Sequence, residues 1–167
     1  MSSNYALILK VLLGMAPFSR EPVPESSMDR ISRLTMVAHA IADAPITREE
    51  RAALLTLGEF ESHFARYIGI GQCLTGPYKC DVYRGVPRAR TYWQVWRSTC
   101  PAAWAAVEGS EDELGAAARC AAAKWSLALA RCHTGVLGAF AGYAGDLCSW
   151  APATARAARY QAILAKL

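Results

Sequence analysis

Charged residues are scarce in this chain, and several features that mark common classes of protein are missing. Charged side chains make up 19% of the residues and hydrophobic ones 53%, a balance that excludes intrinsic disorder. No apolar run approaches the roughly 20 residues of a transmembrane helix, and no two cysteines have the spacing of a zinc knuckle. No internal repeat is found, and nothing predicts a parallel sheet. At 167 residues we expect a single domain.

The N-terminal segment, residues 1–24, has two interpretations. Its apolar run is split by Lys10 and followed by Pro17, so the segment is either a weak export signal or an ordinary first helix. Ser19–Ser27 holds two prolines and predicts a linker. The remaining residues, 25–167, are expected to form the functional domain.

The six cysteines favour a disulfide framework, because their number is even and the chain is small. A metal site is the alternative, but His133 directly follows Cys132, which is poor geometry for two ligands of one ion. We therefore expect no metal and no cofactor. Disulfides indicate an extracytoplasmic location, whether secreted, periplasmic or virion-associated. The cysteines are Cys73, Cys80, Cys100, Cys120, Cys132 and Cys148.

The formal net charge of +4 indicates tolerance for anionic partners. Nucleic acid, an anionic membrane and the bacterial cell wall all qualify, and a solvated basic surface without a partner is the commonest case. We favour the cell wall and expect neither nucleic-acid binding nor a stable membrane span.

Hydrophobic spacing predicts five or six helices and one small irregular or β insertion. Helices are expected at 28–44, from Arg48 to about Arg66 behind a capping box at Thr47–Glu50, at 101–107, from a cap at 109–110 to about Cys132, at 135–143, and at 152–167. Residues 69–90 carry no helical period and predict the insertion. Thr91–Trp96 is rich in aromatic and β-branched residues and predicts a strand or extended segment around Gln94.

The central helix carries the most informative stretch. Leu54, Leu57, Glu61 and Phe64 fall on one helical face, which aims a carboxylate into an apolar wall. Glu59 lies about 200° round the helix and is expected to point elsewhere, as a surface acid. Burial disfavours the charged form of a carboxyl, so Glu61 is the better candidate for a proton donor. The ordinary alternative is a helix-end carboxylate satisfied by Arg66 or by solvent.

Three segments in order carry a resemblance: Glu61-Ser62, the glutamine of Tyr92-Trp93-Gln94, and Tyr143-Ala144-Gly145. From about residue 30 to 148, the chain resembles the lysozyme-like lytic transglycosylases and goose-type lysozymes. The resemblance implies a mainly α, lysozyme-like single domain of five to seven helices with a small β or irregular insertion. The chain departs from the family pattern at the glutamine segment, where Gly-Leu-Met-Gln is usual, and at Ala144, where the family has asparagine.

The resemblance also implies roles. Glu61 would be the single acid/base that cleaves the β-1,4 bond between N-acetylmuramic acid and N-acetylglucosamine in peptidoglycan, as a lytic transglycosylase or a muramidase. Ser62 and Gln94 would contact the glycan, and Tyr143 would hydrogen-bond near Glu61 to position it. Asp81 is the candidate for a second carboxylate, although turn formation is its more ordinary role.

Structural alternatives accompany these roles, and Gln94 and Tyr143 are as readily explained by packing. A non-catalytic wall-binding or virion structural module on the same fold is the alternative function, with virion or tail proteins as further partners. For the cysteines, Cys73 with Cys80 would close the insertion and Cys132 with Cys148 would flank the helix of Tyr143. Cys100 with Cys120 follows by elimination.

Overall fold

The fold is mainly helical with a small β insertion, as the sequence predicts. It is described by a computed structural model for residues 3–17, 24–69, 82–83, 86–87, 89–101, 111–145 and 147–167. The helices are α1 (Ser3–Leu13), α2 (Ser27–Ala42), α3 (Arg48–Ser62), α4 (Arg66–Gly69), α5 (Glu111–Arg131), α6 (Gly135–Gly145) and α7 (Ala153–Leu164). The strands are β1 (Val82–Tyr83), β2 (Val86–Pro87), β3 (Ala89–Arg90) and β4 (Val95–Trp96).

Several predictions lie outside the described residues. These are the Cys73–Cys80 loop, the carboxylate of Asp81, the cap at 109–110 and residues 102–107 of a predicted helix.

Side-chain caps set the starts of α2 and α3. The Ser26 hydroxyl accepts a hydrogen bond from the Asp29 amide at 3.1 Å. The predicted capping box at the start of α3 is confirmed, since the Glu50 amide donates to Thr47 Oγ1 at 3.1 Å and the Thr47 amide donates to Glu50 Oε2 at 2.8 Å. Each bond satisfies an amide that has no partner within the helix.

The core lies where α5 packs against α2, α3 and α6, and where α7 closes over α3 and α6. Trp125 of α5, Phe140 of α6 and Tyr160 of α7 are buried together, with ring centroids 5.8–6.2 Å apart. Helix α1 packs on α2, and Ile8 and Leu12 are fully buried. The N-terminal segment therefore contributes a helix to this core.

Helix α3 ends earlier than the sequence predicts, at Ser62 rather than near Arg66. His63 and Phe64 both adopt left-handed backbone conformations, with φ of 52° and 48°. The Phe64 amide donates to the Gly58 carbonyl at 3.2 Å, a bond typical of helix C-termini. The Phe64 ring then lies where a β-carbon on Gly58 would be, within 2.1 Å. Phe64 is thus outside the helix and not part of the predicted apolar face.

The prediction of a strand over Thr91–Trp96 is wrong for its first four residues. Strands β3 and β4 form an antiparallel hairpin, pairing Ala89 with Trp96 and Arg90 with Val95, and residues 91–94 form the turn. Thr91 and Gln94 have φ of 68° and 49°. A β-branched residue rarely adopts such a conformation, so tertiary contacts of the turn must hold it there. Strands β1 and β2 form a separate antiparallel pair.

Two of the predicted disulfides are present, Cys100–Cys120 and Cys132–Cys148, with Cα–Cα distances of 6.1 and 5.3 Å. The first joins the segment after the β3–β4 hairpin to α5. The second spans α6 and ties the segment that follows it back to the end of α5. Helix α6 consequently has both ends anchored to the same neighbour.

Candidate functional site

Glu61 lies in the last turn of α3 and forms an ion pair with Arg156 of α7, in which Arg156 Nη1 donates to Glu61 Oε1. The Arg156 side chain is 7% exposed and that of Glu61 is 19% exposed. The prediction of an apolar wall around Glu61 therefore needs correction, because a guanidinium contacts the carboxylate.

The guanidinium of Arg156 is also held between two aromatic rings. Its Cζ lies 5.4 Å from the ring centroid of Phe60 and 4.8 Å from that of Trp150, distances at which a cation is attracted to an aromatic face. The Nε atom of Arg156 is buried and has no hydrogen-bond partner among the described residues. Among the described residues, the Arg156 side chain is thus held by one carboxylate and two aromatic rings, and not all of its N–H groups have a hydrogen-bond acceptor.

Glu59 forms the second ion pair between the same helices, with Arg159 Nε donating to Glu59 Oε2 at 2.7 Å. Here the two side chains are 30% and 27% exposed. Both acids thus pair with arginines of α7, which the sequence did not predict. The Glu59 pair is nevertheless the more exposed of the two, as expected of a surface acid.

Tyr143 is buried in α6, and its hydroxyl donates to the carbonyl oxygen of Trp93 at 2.7 Å. A phenol has one proton to donate, so this bond differs from the predicted hydrogen bond toward Glu61. Burial raises the pKa of Tyr143 well above its usual range, the negative charge of Glu61 raises it further, and the positive charge of Arg156 opposes them. Glu61 and Tyr143 are thus close enough to interact electrostatically.

Gln94 is half-buried, and its side-chain amide donates to the Thr91 carbonyl at 2.9 Å. The neighbouring Trp93 is fully buried, and its indole Nε1 donates to the Leu54 carbonyl of α3 at 2.9 Å. The described hydrogen bond of the Gln94 side chain therefore supports the hairpin turn. Its contact with glycan stays a prediction.

Ser62 is buried, and its hydroxyl donates to the Gly58 carbonyl at 2.9 Å and accepts from the Phe64 amide at 3.1 Å. Both partners belong to the helix end. Ser62 accordingly shapes the turn that follows Glu61, and its contact with substrate stays a prediction.

Three parts of the chain that are distant in sequence thus meet at one place. The end of α3 brings Glu61, the hairpin turn brings Trp93 and Gln94, and α6 brings Tyr143, whose hydroxyl joins it to the turn. The shared role of these residues at one site stays a prediction. The sequence did not predict Arg156 or the rings around it, because α7 offered only the signal of a basic last helix.

A cleft of about 290 Å³ lies beside this cluster. It is formed by the second half of α6 and by residues on both sides of Cys148, and its lining residues are Ala141, Ala144, Gly145, Leu147, Ser149 and Trp150. Trp150 belongs both to the cleft and to the ring pair around Arg156. The cleft and the Glu61 pair are therefore neighbours.

A second buried ion pair lies on the other side of the α3 terminus. Arg33 of α2 makes two hydrogen bonds to Glu25, at 2.6 and 2.7 Å, and donates to the Phe64 carbonyl at 2.7 Å. Burial lowers the pKa of Arg33, but the hydrogen bonds and electrostatic interactions with Glu25 and Tyr92 together outweigh it and raise the pKa overall. A cavity of about 270 Å³ adjoins the pair. No sequence pattern indicates this contact, which holds the turn after Glu61 against α2.

The described part of the chain contains no group of three or more His, Cys, Asp or Glu side chains that could hold a metal ion. None of its helices has the length and hydrophobicity needed to cross a membrane.

Comparisons with known proteins gave no match to any family model, curated protein or solved structure. The functional argument therefore depends on the motifs and on the geometry described above.

Proposed function

We propose that this protein cleaves the glycan strands of peptidoglycan, at the β-1,4 bond between N-acetylmuramic acid and N-acetylglucosamine, with Glu61 as the single acid/base. The observation that carries the proposal is the convergence of Glu61, the hairpin turn at Trp93 and Tyr143. A chance match of short motifs gives no reason for these residues to meet. The proposal is supported by the hydrogen bonds that join Tyr143 to Trp93 and Trp93 to α3, and by the charge of Glu61, which raises the pKa of the buried Tyr143.

The chemistry requires Glu61 to act twice. As an acid it gives a proton to the glycosidic oxygen while the C1–O bond breaks, and as a base it then takes a proton from the group that attacks C1. Attack by water gives a hydrolysed product, and attack by the 6-hydroxyl of the muramic acid gives a 1,6-anhydro product. Because Glu61 is paired with Arg156, it must separate from that guanidinium and take up a proton before the first step.

The wider setting agrees with this substrate. Two disulfides are present among the described residues, and peptidoglycan lies in the extracytoplasmic space where disulfides persist. The net charge of +4 suits an anionic polymer. The proposed locations are accordingly secreted, periplasmic or virion-associated, with virion or tail proteins as further partners in the last case.

Glu61→Gln tests the catalytic role, with Glu59→Gln as the matched control on the same helix. General acid–base catalysis contributes about 10²–10⁴-fold, so the release of soluble muropeptides from purified sacculi should fall by at least about 10²-fold for Glu61→Gln and change little for Glu59→Gln. Thermal unfolding of both variants checks that they fold. Full activity of Glu61→Gln contradicts the assignment. The mass of the products distinguishes hydrolysis from transglycosylation, since an anhydro product lacks one water.

One observation favours the alternative of a non-catalytic wall-binding or virion structural module. The Glu61 carboxylate already has a buried partner in Arg156, an arrangement that a purely structural acid would also have. Binding of the wild-type protein to sacculi without release of any soluble sugar supports this alternative and excludes the enzyme.

A further inference from the structure

The cleft beside Trp150 has the features of a site for one sugar ring. It is about 290 Å³ in volume and is walled by an indole, a leucine and one serine hydroxyl. Small-molecule sites are concave and mostly apolar, with aromatic walls and few polar groups. A β-carbon on Gly145 would meet no atom within 4 Å, so open space lies directly above the backbone there.

Trp150 has one ring face engaged and much of its surface free. Arg156 lies 4.8 Å from its ring centroid, and the residue is still 42% exposed. The guanidinium fixes the indole without covering it completely. Aromatic faces are electronegative, and the C–H groups on one face of a pyranose are their natural partners.

The cleft is linked to the acid through a single side chain. Arg156 contacts the Glu61 carboxylate through Nη1, and its Cζ lies 4.8 Å from the Trp150 ring centroid. One guanidinium therefore separates the proposed reacting group from the indole. A glycan strand with one bond at Glu61 could therefore place a neighbouring sugar ring in the cleft.

We infer that the Trp150 cleft is a subsite for one N-acetylhexosamine ring of the glycan strand, stacked on Trp150 next to the bond that is cleaved. This inference rests on the proposed function for its choice of sugar. Leu147, which is 69% exposed, provides an apolar contact for the acetyl methyl group, and Ser149 provides a hydroxyl partner. The net charge of +4 complements the carboxylates that peptidoglycan carries on its peptide stems.

Binding to purified sacculi, measured by sedimentation in a Glu61→Gln background so that nothing is cleaved, tests the subsite. Truncation of a central aromatic contact should weaken binding by about tenfold or more. We expect that loss for Trp150→Ala and a loss of less than about threefold for Trp150→Phe, which keeps a ring. Leu127→Ala removes a side chain that is 70% exposed on α5 and should bind like the parent. Equal binding by Trp150→Ala and Leu127→Ala overturns the inference.

A second measurement keeps the test valid if Trp150→Ala unfolds. The indole N–H signal of Trp150, identified by its disappearance in Trp150→Phe, should shift when a peptidoglycan tetrasaccharide is added to the Glu61→Gln protein. Shifts elsewhere with none at Trp150 overturn the subsite.

The two proposals fail separately. Wild-type cleavage with no effect of Trp150→Ala on binding refutes the subsite and leaves the enzyme. Binding that depends on Trp150 without any cleavage refutes the enzyme and leaves the subsite as part of a wall-binding module. Neither binding nor cleavage refutes both.

Discussion

Removing one arginine from each of the two α3–α7 ion pairs gives a sharp test of how the candidate site is held together. Arg156→Met leaves Glu61 without its partner where the paired side chains are 7% and 19% exposed. Arg159→Met does the same to Glu59 where they are 30% and 27% exposed. Methionine retains much of the aliphatic stem in both cases, so the comparison isolates the charge and its burial.

The expected magnitudes differ several-fold. Breaking a buried pair costs about 3–5 kcal/mol because a charge is left uncompensated, whereas an exposed pair contributes about 0–1 kcal/mol. At about 2–4 °C per kcal/mol for a chain of this size, the melting temperature should fall by about 6–20 °C for Arg156→Met and by less than about 4 °C for Arg159→Met. The lost ring contacts of Arg156 act in the same direction.

Circular dichroism during heating of the oxidised protein measures both variants under one condition. The double variant Glu61→Gln with Arg156→Met serves as a control, since it leaves no unpaired charge and should recover part of the lost stability. Equal shifts for Arg156→Met and Arg159→Met would refute the reasoning, because burial would then have no effect on the strength of the pair.

Two further predictions concern neighbours of this pair. Gly58→Ala should destabilise the protein by about 1–3 kcal/mol in urea unfolding, because the Phe64 ring occupies the space of the new methyl group. The control Gly115→Ala on α5 should stabilise the protein by about 0.5–1 kcal/mol. Equal effects of the two substitutions would contradict the packing at the end of α3. Because its pKa is raised on folding, Tyr143 contributes stability that is present below its ordinary pKa of 10.0 and is lost as pH rises above it. Urea unfolding of the wild type across that pH range should show this loss of stability. Tyr143→Phe leaves the Trp93 carbonyl unpaired and should therefore be less stable at neutral pH by about 1–3 kcal/mol. The variant should not show the part of the alkaline loss of stability that comes from Tyr143.

The sequence predicted those parts of the fold that local interactions determine. The capping box at Thr47 identified the start of α3 because both of its hydrogen bonds lie within four residues. The end of α3 was missed because it depends on Phe64 turning back onto Gly58. The turn at residues 91–94 was read as a strand because aromatic and β-branched residues favour strands, whereas the buried Trp93 and its bond to α3 decide the conformation.

The candidate site was predictable to a similar extent. Its motifs gave Glu61 and Tyr143, since each stands in a short recognisable segment. Arg156 was missed because its partner lies 95 residues away in sequence and no local pattern reports such a pairing. The bond from Arg33 to the Phe64 carbonyl was missed for a similar reason, because it spans 31 residues and depends on how α2 packs.

The hydrogen bond from the Trp93 indole to the Leu54 carbonyl has a mechanical consequence. It connects the hairpin to the middle of α3. The Tyr143 hydroxyl connects α6 to the hairpin in the same way, so two hydrogen bonds hold these three elements together. Arg156 belongs to α7, which takes part in neither of these two hydrogen bonds. For the proposed catalysis, Glu61 has to separate from the Arg156 side chain, and neither of the two bonds that hold the hairpin involves that contact.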